Sequence, residues 1–134
     1  MLNISIGTID HKLQRYSTCG DYYKIDINQN LLDQKEIDII RISEMGNPKY
    51  EFLVALHEIV EMFLTQERGI TEKSISNFDV EFEARNLKGE PGDHPNAPYR
   101  KEHKFATKIE KMMAKELGVN WKKYEITLDK LYTK

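Results

Sequence analysis

The stretch Tyr50 to Gln66, YEFLVALHEIVEMFLTQ, decides the fold. Wound as a helix, it is apolar almost all the way round. Phe52, Leu53, Val54 and Leu56 precede a polar cluster, and Ile59, Val60, Phe63 and Leu64 follow it. A helix of that kind is expected to be buried on all sides. Its middle nevertheless carries His57, Glu58 and Glu61. His57 and Glu61 stand four residues apart, one turn above the other on the same face. Glu58 lies about 100° round from His57. Burying such groups without partners costs on the order of several kcal/mol. A metal ion beside the helix would satisfy all of them, and that expectation organises the rest of the chain.

Working outward, Asn47 is a good N-cap and Pro48 a good first helical residue. Gly69 is the natural stop after Arg68. Upstream, Leu2, Ile4 and Ile6 alternate with polar residues, as do Tyr23, Ile25 and Ile27, and each set reads as a half-buried strand. His11 to Asp21 is a polar connection, with His11 placed on its surface, and Asn28 to Lys35 is a turn region. Glu36 to Ser43, EIDIIRIS, is a third strand, rich in β-branched residues. Its alternation slips at Ile39-Ile40, which points to burial of both faces or to a bulge. Short connections predict a small antiparallel meander. Downstream, Thr71 caps a helix from Glu72 to about Glu83, with Ile75, Phe78 and Phe82 as its apolar stripe. Asn86 to Tyr99 holds three of the four prolines and reads as a long functional loop. Pro98 opens a further helix to Leu117. Phe105, Ile109, Met112 and Met113 are expected to face the core, and Lys101, Lys104, Lys108, Lys111 and Lys115 the solvent. Trp121 and Tyr124 pack the C-terminal segment back onto the body. The fold class is therefore α+β, one domain over 1–134: a small antiparallel sheet against the buried central helix and a second long helix.

The 134 residues suit one core. Twenty-two acids against twenty bases give a formal charge of −2, which recommends no nucleic-acid partner. Cys19 is the sole cysteine, so no intrachain disulfide forms and a reducing compartment is favoured. The N-terminus lacks a signal-peptide pattern, and Glu51, His57, Glu58 and Glu61 interrupt the longest apolar stretch, so no membrane span is expected. The expectation is a cytoplasmic protein.

For the metal, His57 and Glu61 supply two ligands, and His103 is the best third. It lies on a His103–Ala106–Thr107–Glu110 face that meets the central helix if the two pack side by side. Two imidazoles and a carboxylate with a fourth position open are ligands that catalytic zinc uses, and iron or manganese would suit them too. Glu58 is then placed as general base toward a water acidified by the metal. Asp93, His94, Asp79 and Arg15 are further candidates. Asp93 and His94 would serve as a fourth ligand or substrate contact, Asp79 as a partner of a ligating histidine, and Arg15 as an anion binder in the same cleft.

His57-Glu58-x-x-Glu61 in a buried helix resembles the zincin metallopeptidase motif His-Glu-x-x-His with its second histidine replaced. In the thermolysin-like branch a glutamate from a later helix is the third ligand; here the types are exchanged between Glu61 and His103. The resemblance implies a zinc-dependent hydrolase of amide or peptide bonds, with a peptide or protein as substrate. The glutamate at 61 departs from the family's motif, so peptidase activity does not carry over with it. A second resemblance spans more of the chain. QRYSTCGDYY at Gln14–Tyr23, the stretch Ser43–Leu64 and EPGDHPNAPYRKEHKFATKIE at Glu90–Glu110 are similar to a family of small bacteriophage and prophage proteins of unknown function. It implies a phage or prophage origin and a bacterial host cytoplasm. Two other readings stand beside the hydrolase. One is a non-catalytic phage accessory protein with a structural metal. The other is a buried His–Glu network that contacts Arg15, Arg85 or Arg100 and needs no metal.

Overall fold

A computed structural model describes residues 2–26 and 36–132. Three strands, β1 (Ile4–Ile9), β2 (Gly20–Asp26) and β3 (Glu36–Ser43), precede four helices: α1 (Pro48–Glu67), α2 (Glu72–Ala84), α3 (Arg100–Glu116) and α4 (Trp121–Tyr132). Single turns of 3-10 helix occur at His11–Leu13 and Pro91–Asp93. The expected turn over Asn28–Lys35, and Ile27 before it, lie outside the described residues. No helix among the described residues is long and apolar enough to cross a membrane.

The sheet is mixed, in the order β1-β3-β2, and this corrects the antiparallel meander. β3 runs parallel to β1 and antiparallel to β2. Connection length predicts neighbours, but burial decides here. β3 is the strand with apolar residues on both faces, and Ile39, Ile40 and Ile42 are all buried. A strand of that kind belongs in the centre. β1 and β2, each half-exposed, take the edges. The registers run unbroken along β3, so the slip at Ile39-Ile40 marks two buried faces, not a bulge.

α1 begins where the local signals place it. Asn47 accepts hydrogen bonds from the amides of Lys49 and Tyr50, and Pro48 opens the helix. Gly69 follows its end at φ +69°. One face of α1 lies on the sheet and on α3, burying Leu53, Val54, His57, Glu61, Met62 and Thr65. The other face is open: Phe52 is 49% and Phe63 45% exposed, so the helix is not buried all round. One sheet and one neighbouring helix cover only about half of a helical cylinder.

α3 also presents an unexpected side. Phe105 and Met112 are exposed, while Glu102, His103, Ala106, Glu110 and Ala114 are buried. The alanines let α3 sit close to α1, and the polar residues between them find partners there. That match outweighs the burial of a phenylalanine and a methionine. The five lysines of α3 face solvent as expected. α4 is a full helix, and it sends Tyr124 and Leu128 into the core formed with Ile40, Ile42, Leu53, Val54 and Met62. His11 corrects the surface assignment. It is buried, with Nδ1 2.7 Å from Ser43 Oγ and Nε2 2.9 Å from the Leu131 carbonyl oxygen, so it ties the ends of β1 and β3 to α4.

Candidate metal centre

α1 and α3 bring His57, Glu61 and His103 together, all buried. His57 Nε2 lies 3.1 Å from Glu61 Oε2 and 3.1 Å from His103 Nδ1, and His103 Nδ1 lies 2.8 Å from Glu61 Oε2. Three donor atoms thus form a near-equilateral triangle. Ligands about 2.0–2.1 Å from one ion stand roughly 3 Å from each other, so the triangle has the dimensions of three ligands around one ion.

The far sides of these groups are fixed as well. His57 Nδ1 is 2.8 Å from Glu110 Oε1, and the Tyr124 hydroxyl donates to Glu110 Oε2 at 2.5 Å. Glu61 Oε1 accepts a 2.9 Å hydrogen bond from the Tyr22 hydroxyl on β2, leaving Oε2 for the triangle. A carboxylate on the outer nitrogen keeps a proton there and turns the inner lone pair toward a cation. The donor set therefore fits a divalent ion. It is made of two helices, one strand and one tyrosine of α4.

Charge follows the same plan. Burial alone would strip the proton from His57, but Glu110 and Glu61 outweigh it and raise its pKa well above the ordinary imidazole range. Burial also opposes a charged His103, and the flanking Asp93, Glu61 and Glu90 carboxylates reverse that in the same direction. Burial would lift the Glu61 carboxyl; His103 and His57 hold it down at about 2. Both shifts favour protonated rings, whose facing nitrogens are only 3.1 Å apart. A dication in place of those protons supplies the same charge without the like-charge contact.

His57, Glu61, His103, Glu110 and Tyr22 line one cleft that opens to solvent. Glu58 lines it too, against the edge strand: a methyl group added to Gly20 would lie 2.5 Å from Glu58 Oε1. Glycine at 20 is thus what lets this carboxylate lie on β2. Burial, then the charge of Glu61, pushes the Glu58 pKa well above the ordinary carboxylate range.

The remaining candidates fall around this centre. Asp93 Oδ1 is 3.2 Å from His103 Nε2, on the outer side of that ring. His94 does not join the cluster; its ring packs on Phe78 and Phe82, and its Nδ1 accepts from the Asn96 amide. Asp79 lines the cleft but bonds the Tyr99 hydroxyl at 2.5 Å instead of a ligating histidine, and burial pushes its pKa up to about 7. Arg15 lines the cleft with its guanidinium committed to Asp21, at 2.6 and 3.0 Å. Glu83 accepts from the Ser17 amide. Residues that sequence reasoning did not assign are Tyr22, Glu90, Glu110 and Tyr124. Of these, Glu110 shares the helical stripe of His103 and was visible by spacing.

No protein-family model, curated protein or solved structure matches this chain.

Proposed function

We propose that this chain is a divalent-metal-dependent hydrolase of amide or peptide bonds, with His57, Glu61 and His103 as ligands and Glu58 as general base. The observation that carries the reading is the donor triangle, with His57 and Glu61 each turned inward by a partner behind it. A bound cation would act there as a Lewis acid and make water a nucleophile near neutral pH. Zinc fits two imidazoles and a carboxylate, and iron or manganese suits the same set.

This chain's own residues supply the rest. Glu58 sits on the next position of the same helix, inside the cleft, with a raised proton affinity. Such a carboxylate can take the proton of an attacking water and return it to the departing amine. Glu110 and Tyr124 keep the His57 ring from turning, and Tyr22 does the same for Glu61. A structural zinc would fill four positions with protein ligands. His94 lies away, and Asp93 stands at the opposite nitrogen of His103, so neither loop candidate supplies a fourth ligand to the triangle, which supports the catalytic reading. The phage or prophage setting and a bacterial cytoplasm rest on the sequence resemblance, and a peptide or protein substrate on the zincin-like motif.

The test is Glu58→Gln, assayed on a peptide library with metal content measured in parallel. The variant is expected to keep its metal and lose cleavage at least a hundredfold, since general-base catalysis contributes about 10²–10⁴. Metal loss in this variant would make Glu58 a ligand and contradict the assignment.

A further inference from the structure

His103 has a second nitrogen that the centre above does not use. His103 is 5% exposed, and its Nε2 atom is buried with no hydrogen bond among the described residues. Yet two carboxylate oxygens flank that atom: Glu90 Oε2 at 3.0 Å and Asp93 Oδ1 at 3.2 Å. Neither lies where a ring N–H would meet it. The three ligand atoms lie within 4.8 Å of one another, close enough to share one ion.

The loop is built onto this nitrogen. Gly92 presses against the imidazole, where an added methyl group would come within 2.4 Å of the ring. The turn Pro91–Asp93 therefore packs against His103 at Gly92. Glu90 is held in place: its Oε1 accepts a 2.6 Å hydrogen bond from the Tyr132 hydroxyl, which leaves Oε2 for the gap. Asp93 is 65% exposed, so the gap opens to solvent and water can complete a coordination shell.

We propose that a second divalent cation binds between His103 Nε2, Glu90 Oε2 and Asp93 Oδ1, so that one imidazole bridges two cation positions. The bridge rests on the reading of the first centre; the second position stands on its own residues. The first cation takes the Nδ1 lone pair and leaves the ring proton on Nε2. The second takes the Nε2 lone pair, and that proton leaves to solvent. One imidazole and two carboxylates with an open face suit Zn²⁺, Mn²⁺ or Fe²⁺. The outer position should be weaker than the inner one, because its ligands include an exposed aspartate on a loop.

The experiment is equilibrium dialysis of the metal-stripped protein against Zn²⁺, with metal counted per chain. Wild type should take two equivalents. Asp93→Asn and Glu90→Gln should each take one, and His57→Ala should lose the inner ion. Asp93 is exposed, so its variant will fold even if His57→Ala does not. One equivalent in wild type that survives Asp93→Asn and vanishes in His57→Ala would overturn the second site and leave the proposed function standing. One equivalent that vanishes in Asp93→Asn and survives His57→Ala would keep the outer position and overturn both the bridge and the proposed function. Two equivalents unmoved by either loop variant would overturn the second site.

Discussion

His11 and His103 are both buried, and they show two uses of a histidine. The nitrogens of His11 meet a serine hydroxyl and a main-chain carbonyl, ordinary partners that pin three elements together. Among the described residues, those of His103 meet another histidine, three carboxylates and no alcohol or carbonyl. Both are removed from water, so burial does not distinguish them. The kind of partner does. A structural histidine is given one donor and one acceptor that it can satisfy with its own protons. The His57–His103 pair faces carboxylates and each other, a set of lone pairs that a cation would fill.

That contrast can be broken most sharply by exchanging the losses. His57→Ala should abolish binding at the inner position. His11→Ala should leave metal content unchanged and lower stability by about 1–3 kcal/mol, the cost of leaving buried partners unpaired. Metal analysis and denaturant melts on both variants read the two effects separately. Equal effects of the two substitutions on metal would erase the distinction.

The next effect in size is the pH dependence of metal uptake. The pKa values of His57 and His103 are raised, so in the metal-free protein both rings hold protons at neutral pH. A cation must displace them, and affinity therefore rises with pH. The slope is up to about a hundredfold per pH unit while two protons are released, and it flattens once the rings are neutral. Competition with a chelator from pH 6 to 9 measures it. A flat profile would mean that the rings are already neutral.

Smaller is the effect of the groups behind the ligands. Tyr124→Phe removes the hydroxyl that holds Glu110 without touching the triangle. Metal affinity should fall about tenfold, the low end of the range for outer partners of a ligating histidine. Chelator competition checks this too, and an unchanged affinity would mean that Glu110 orients nothing.

Much of this was legible because it is local. Asn47, Pro48 and Gly69 bracket α1 through backbone chemistry that acts within a turn. The i, i+4 spacing of His57 and Glu61, and the stripe carrying His103, fixed the three ligand candidates for the same reason. Strand order was not legible, because β3 finds its place between β1 and β2 through burial across the whole sheet. The face of α3 was misjudged from Phe105 and Met112. Hydrophobicity alone cannot register that Ala106, Ala114 and a polar stripe fit the polar side of α1 better. Tyr22, Tyr124 and Tyr132 reach the carboxylates from β2 and α4, and no spacing rule links them to those carboxylates. Gly20 and Gly92 carried no signal at all, since a close approach between segments is visible only once both are folded.

The most direct test is elemental analysis of the wild-type protein purified without added metal, then dialysed against trace Zn²⁺. At least one equivalent of a divalent transition metal per chain, with one equivalent fewer in His57→Ala, is the predicted result. A wild-type protein that folds normally and takes up no metal would contradict it, and would leave His57, Glu61 and His103 as a proton-held network like that of His11.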